Sequence, residues 1–256
     1  MTGRVEAMLR GAVMGTWLEP SARFVWKTVL RRHSKNDVYD RLTIEIMQKV
    51  LRPESNCVDV GCHAGAILDE MLRLSPAGQH FAFEPLPDLA AKLRQRYAGR
   101  PNIAFHELAL SNTAGRATFH ANRDHPGMSG LERRDYVSDQ DTVELIEVRT
   151  DRLDAQLPPD FRVDFMKIDV EGAESLVFEG GLESLARSRP VVVFEHGVAS
   201  RDYYRAGSGV VFDLLAGVSL RVSCLEEFAR GGAALTREQF IRQVESGLDF
   251  YFVAHP

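Results

Sequence analysis

Asn56-Cys57-Val58-Asp59-Val60-Gly61-Cys62-His63-Ala64-Gly65, a short apolar run closed by two glycines, sets the frame for the whole chain. Cys57 to Val60 reads as a buried strand that stops at Gly61. From Ala66 to Leu74 the pattern changes to helical spacing, with Ile67, Met71 and Leu74 expected on one face. A strand, a glycine turn and a helix in that order bring bare backbone close to a ligand, because glycine accepts dihedrals a side chain forbids and the helix start offers free N–H groups. The stretch is therefore a candidate cofactor cradle. A dinucleotide site of the G-x-G-x-x-G type needs a glycine two positions after the first, where His63 stands, so pyrophosphate fits it poorly.

The chain has 256 residues and a formal charge of -5, which suits one large α/β domain with a short extension and disfavours a nucleic-acid partner. Cys57, Cys62 and Cys224 leave an odd thiol under any pairing and have no metal-type spacing. They read as buried, reduced residues of a cytoplasmic protein. No apolar run is long enough to cross a membrane or to act as a signal core, so no secretion is expected.

Residues 1–33 are locally basic, with Arg4, Arg10, Arg23, Lys27, Arg31 and Arg32 against Glu6 and Glu19. Apolar clusters on either side of Pro20 predict two short helices, a helical extension over residues 1–35 ahead of a domain over residues 36–256. This extension has several candidate partners: the domain itself, a twin subunit in a homo-oligomer, the substrate or a membrane surface.

Beyond the cradle, Gln79-His80-Phe81-Ala82-Phe83 predicts a second strand ending at Glu84 and Pro85. Glu84 lies where doubly wound folds place a carboxylate on ribose hydroxyls. Residues 87–97 predict a helix, residues 102–105 a third strand, and Glu107-Leu108-Ala109-Leu110-Ser111 a segment at that strand's end where an adenine ring has room. Two strand-like pieces, residues 117–120 and 143–148, predict an antiparallel insertion over the site mouth, with the turn at residues 125–130 as a candidate substrate contact. A fourth core strand over residues 163–170 runs into a helix expected to continue to Leu185. Residues 191–194 form the fifth strand, residues 219–224 a further one and residues 249–254 the last. Thr236-Arg237-Glu238-Gln239 reads as a capping box.

Asp59-Val60-Gly61 with Gly65 looks like motif I of the S-adenosylmethionine-dependent methyltransferases, in which glycines pass the methionine and ribose part of the cofactor. Lys167-Ile168-Asp169-Val170-Glu171-Gly172-Ala173-Glu174 makes the likeness specific: with Ala109-Leu110-Ser111, Val148-Arg149-Thr150-Asp151-Arg152-Leu153-Asp154, Gly180-Gly181 and Pro190 to His196, the chain resembles the FkbM-type methyltransferases over roughly residues 37 to 197. One departure stands out, since that family usually reads Gly-Ala-Asn-x-Gly where this chain has His63 in third place. The resemblance implies a Rossmann-like class I sheet, mostly parallel, of about seven strands with helices on both faces. It also implies S-adenosylmethionine as cofactor and a hydroxyl acceptor on a sugar, lipid or polyketide-like metabolite.

Cofactor candidates are Asp59, Gly61, His63, Gly65, Glu84, Pro85, Leu108 and Ala109. Acceptor-side candidates are Lys167, Asp169, Glu171 and His196, which follow from strand ends where ligands of open α/β sheets collect. Strand alternation places Lys167, Asp169 and Glu171 on one side if the strand persists that far, while a Lys167–Asp169 pair bracing the sheet is the competing reading. His196, Asp169 and Glu171 compete as general base. The same oxygen-rich set suits a divalent cation, but carboxylates are too common to assign one. Two other functions stay open at this point: a nicotinamide-dependent oxidoreductase on a similar sheet, and a non-catalytic cofactor-binding protein.

Overall fold

The computed structural model describes residues 35–132, 138–197 and 207–256; the two helices expected within residues 1–33 lie outside the described residues. In chain order the elements are α1 (Lys35–Val50), β1 (Cys57–Val60), α2 (Ala66–Leu74), β2 (His80–Phe83), α3 (Pro87–Arg96), β3 (Ile103–His106), β4 (Ala109–Leu110), β5 (Gly115–Asn122) and β6 (Val143–Asp151). There follow α4 (Leu153–Gln156), β7 (Phe165–Ile168), α5 (Glu174–Glu179), α6 (Leu182–Ser188), β8 (Val191–Glu195), α7 (Val210–Gly217), β9 (Arg221–Cys224), α8 (Leu225–Ala229), α9 (Arg237–Ser246) and β10 (Tyr251–His255).

A seven-stranded sheet runs β3-β2-β1-β7-β8-β10-β9. β3, β2, β1, β7 and β8 are parallel, and β10 enters antiparallel between β8 and β9. The chain order reverses between β1 and β7, the switch point at which an open α/β sheet leaves a crevice beyond its carboxyl ends. β1 and β7 are buried at every residue, as strands covered on both faces must be. The expected mostly parallel sheet of about seven strands is therefore present.

β4, β6 and β5 make the separate sheet expected as an insertion, with β5 and β6 antiparallel from Gly115 opposite Thr150 to Asn122 opposite Val143. It has its own small core of Leu86, Ala109, Phe119, Ala121 and Val148. The predicted capping box is complete, since Thr236 and Gln239 each accept from the other's backbone N–H at the start of α9.

Two helices differ from expectation. α2 buries Leu68, Met71 and Leu72 rather than Ile67 and Leu74, because a face of spacing i, i+3, i+4 starting at Leu68 is the one that meets β1 and β2. The helix expected to run to Leu185 breaks into α5 and α6 at Gly180-Gly181. A Cβ on Gly180 would lie 2.1 Å from the Ser111 carbonyl oxygen, so the chain passes this backbone only as glycine. Among the described residues no helix is long and apolar enough to cross a membrane. Gly180→Val should therefore lower the unfolding free energy by about 2 kcal/mol or more through overpacking against backbone that cannot yield, a loss readable as a lower urea midpoint.

Candidate active site

The cradle forms as a left-handed turn. Gly61 has φ 75°, His63 φ 46° and Gly65 φ 80°. The amides of Gly61 and Cys62 both donate to the Phe83 carbonyl, at 3.0 and 3.1 Å, which ties the turn to the end of β2. A Cβ on Gly61 would sit 1.9 Å from the Asp169 carbonyl oxygen, so glycine here lets the end of β1 lie directly against the end of β7. Gly65 is required by packing as well: its Cβ would lie 2.5 Å from the Tyr97 hydroxyl, which itself stands 3.1 Å from the Gly65 carbonyl oxygen.

Glu84 closes the cofactor side. Its carboxylate accepts from the His63 amide at 2.9 Å and from the Leu86 amide at 3.0 Å, leaving one further acceptor position on each oxygen. Burial raises its pKa to about 7 against the two amide bonds, which lower it. Pro85 is half-buried beside it. Leu108 is a core residue in the cluster with Phe83, and Ala109 is buried in β4, so the segment after β3 offers the site mainly its backbone.

Lys167 stands at the centre of the sheet, paired in register with Asp59 of β1 and followed by Asp169. Its ammonium donates to Asp169 Oδ2 at 2.8 Å. Burial works against its charge, but Asp169 and then Asp59 more than offset this and raise its pKa. Asp59 is fully buried, and burial lifts its pKa to about 6 although Lys167 pulls it down. The bracing pair of Lys167 and Asp169 is thus the observed arrangement, with Lys167 7% exposed and Asp59 acting on it through its charge.

β7 ends at Ile168, so the strand does not carry Glu171 onto one face with Lys167 and Asp169; Glu171 sits instead in a turn with φ 53°. That turn nevertheless brings it back. Asp169, Glu171 and Glu195 each place a carboxylate oxygen within 4.8 Å of the others. Burial favours a neutral Asp169, yet the Lys167 charge, the Lys167 hydrogen bond and a 2.6 Å bond from the Tyr251 hydroxyl hold its pKa at about 2. Glu195 goes the other way: burial, then the charges of Asp169, Glu171 and Glu174, raise its pKa well above the carboxylate range. Within the pair Asp169 therefore keeps the charge and Glu195 has the higher proton affinity.

His196 does not join this group. It is 3% exposed, with its ring 5.8 Å from the Phe240 ring and 8° from parallel to it, which places the imidazole in the packing under α9. The structure brings in instead Tyr251, a residue the sequence reading did not single out. Its signal is visible only once β10 is known to run antiparallel beside β8, which sets Tyr251 opposite Glu195. The insertion turn also reaches the site, as expected for residues 125–130: a Cβ on Gly127 would lie 3.9 Å from His63 Nε2, and one on Gly130 3.4 Å from the Glu171 carbonyl oxygen.

A family model described as the methyltransferase FkbM domain matches residues 59–207. A curated relative, the 2-O-methyltransferase NoeI of Sinorhizobium fredii (strain NBRC 101917 / NGR234), is 33% identical over 160 residues, which are 57% of this chain and 65% of that protein. The chain thus spans just under two thirds of that relative's length. Among solved structures, a methyltransferase FkbM from Methylobacillus flagellatus KT superposes with a TM-score of 0.49 at 14% identity, covering 80% of this chain and 44% of that one. Aeropyrum pernix fibrillarin with natively bound S-adenosyl-L-methionine does so with a TM-score of 0.44 at 13% identity, covering 84% and 74%. These superpositions are too loose to carry an argument about the site.

The charge ladder yields a direct test. Lys167→Met leaves Asp59 and Asp169 buried without their cation, and urea unfolding at pH 7 should show a loss of about 3 kcal/mol or more. The double variant Lys167→Met with Asp59→Asn should recover part of that loss, because it removes one of the stranded charges.

Proposed function

Since the chain belongs to the FkbM methyltransferase family, we propose that it transfers the methyl group of S-adenosylmethionine to a hydroxyl oxygen of a small molecule, a sugar, lipid or polyketide-like metabolite. The carrying observation is the Glu84 carboxylate, buried at the end of β2 and bound to the turn through the His63 amide. A ribose diol needs one acceptor on each of two adjacent oxygens, and Glu84 has both left over. S-adenosylmethionine would supply an electrophilic methyl group on a sulfonium, with no phosphate to be neutralised. That fits a turn with His63 where a dinucleotide site needs glycine, and it disfavours the nicotinamide reading. A hydroxyl acceptor is favoured by the relative named as a 2-O-methyltransferase.

In this reading the backbone of Gly61, His63 and Gly65, the side chains of Glu84 and Pro85, and the backbone of Leu108 and Ala109 would hold the cofactor, the His63 part being its amide on Glu84. Asp59 and Lys167 keep the strand ends in register beneath it. Asp169 and Glu171 face the acceptor, the ionised Asp169 accepting a hydrogen bond from an acceptor hydroxyl and so fixing its direction of approach. Alignment of this kind is worth several kcal/mol, on the order of 7 in favourable cases. Asp169, Glu171 and Glu195 would also suit a divalent cation, though Lys167 and Tyr251 already occupy Asp169 Oδ2.

Calorimetric titration should show binding of S-adenosylhomocysteine and none of NAD; NAD binding alone would overturn the reading. Glu84→Ala should weaken S-adenosylmethionine by about 2 kcal/mol or more, the scale of charge-assisted hydrogen bonds. Ribose hydroxyls bind the ionised carboxylate, and the free protein's Glu84 takes up its proton as pH falls through about 7. Affinity should therefore drop about tenfold from pH 8 to pH 6, and Glu84→Gln should flatten this dependence.

A further inference from the structure

Removing the proton of an acceptor hydroxyl needs a group that is open to the cavity, deprotonated near neutral pH and basic enough to keep the proton. Asp169 lacks the basicity, because Lys167 and Tyr251 both hold its Oδ2. Glu195 is held toward its neutral form by burial and the neighbouring carboxylates, against the ionised form a base needs. His196 lies flat on Phe240 inside the packing. His63 differs from these three in that its side chain is exposed at the turn, and with Glu171 it is the other candidate on the acceptor side.

His63 is exposed at the tip of the glycine turn, on left-handed backbone with φ 46°. Its Nε2 lies 3.9 Å from where a Gly127 Cβ would be, so the ring edge is under the insertion turn at Pro126–Met128. Its amide holds Glu84 on the cofactor side, while the charges of Asp169 and Lys167 act on its ring from β7. Burial lowers its pKa, with Lys167 adding to this and Asp169 opposing it, which leaves the imidazole neutral at pH 7. The residue thus binds Glu84 on the cofactor side and feels the charges of β7 on the other.

We propose that His63 takes the proton of the acceptor hydroxyl, its imidazole lying between the glycine turn and the insertion turn. This rests on the cofactor reading above. The acceptor's O–H bond breaks with its proton passing to the imidazole and its electron pair forming the new O–CH3 bond, as the methyl–sulfur bond breaks with its pair left on sulfur. The positive charge of the sulfonium would be replaced by that of the imidazolium, which the charge of Asp169 favours.

The test compares two ligands that differ by that methyl group and its charge. With the full chain, the ratio of S-adenosylmethionine to S-adenosylhomocysteine affinity should fall at least about fivefold from pH 7.5 to 5.5, because a protonated imidazole repels the sulfonium but not the neutral thioether. In His63→Asn the ratio should change by less than about twofold, with S-adenosylhomocysteine affinity at pH 7.5 within about threefold of wild type, the margin for an intact cradle. Reciprocally, the His63 ring in NMR titrations should have a lower pKa with S-adenosylmethionine bound than with S-adenosylhomocysteine. With a methyl glycoside bearing a free 2-hydroxyl as probe, His63→Asn should lower kcat about a hundredfold or more, the usual scale of general-base loss, with little change in KM. A wild-type affinity ratio independent of pH, or a His63→Asn kcat within about threefold of wild type, overturns the assignment. Failure of both ligands to bind removes the cofactor reading and this assignment with it.

Discussion

A lysine ammonium buried in the middle of a parallel sheet is expensive unless its charge is answered on the spot. Lys167 is answered from two sides, by Asp59 on the neighbouring strand and by Asp169 at its own strand's end. The β1–β7 register is therefore more than a pattern of backbone bonds: a slip of one residue would flip Lys167 away from Asp59 to the opposite face. Because the glycine turn begins two residues after Asp59 and the acidic turn begins where β7 ends at Ile168, the Lys167–carboxylate contacts lie directly beneath both turns. Gly61 completes the constraint, since its missing side chain lets the Asp169 carbonyl come against the turn.

From that fixed point the carboxylates divide into two kinds. Asp169, with Lys167 and the Tyr251 hydroxyl on one oxygen, stays ionised at any physiological pH. Glu84, Asp59 and Glu195 are pushed upward by burial, each with a different set of opposing neighbours. Proton affinity therefore differs between groups of the same chemical type a few ångströms apart. The environment, not the residue type, decides which of them accepts hydrogen bonds and which gives one.

Much of this was legible in the sequence, and the parts that were not have physical reasons. The strand, glycine turn and helix at residues 57–74, the insertion strands and the capping box at Thr236 rest on local patterns, and each is present. The likeness of residues 167–174 to a family motif pointed to the acidic turn. What failed was whatever depended on through-space partners. The break at Gly180 depends on Ser111, far away in the chain. His196 looked like a strand-end base until α9 placed Phe240 over it. Tyr251 gained its place only through the antiparallel entry of β10 beside β8. The alternation rule also overreached at Glu171, where the strand had already ended and a left-handed turn, not a pleat, returned the side chain to Asp169.

The insertion sheet follows a different logic from the main sheet. Its core of Leu86, Ala109, Phe119, Ala121 and Val148 is a cluster of its own, so changes in its outer turn cost little in the packing that holds β1 and β7 together. Yet that turn approaches His63 through Gly127 and the Glu171 backbone through Gly130. Glycine at both positions keeps the turn close without a side chain intruding on either residue. Met128 lies between them and remains partly exposed, which is costly in water unless an apolar surface covers it. The rigid sheet thus fixes the charged groups, while a separately packed and thermodynamically cheap turn shapes the space above them.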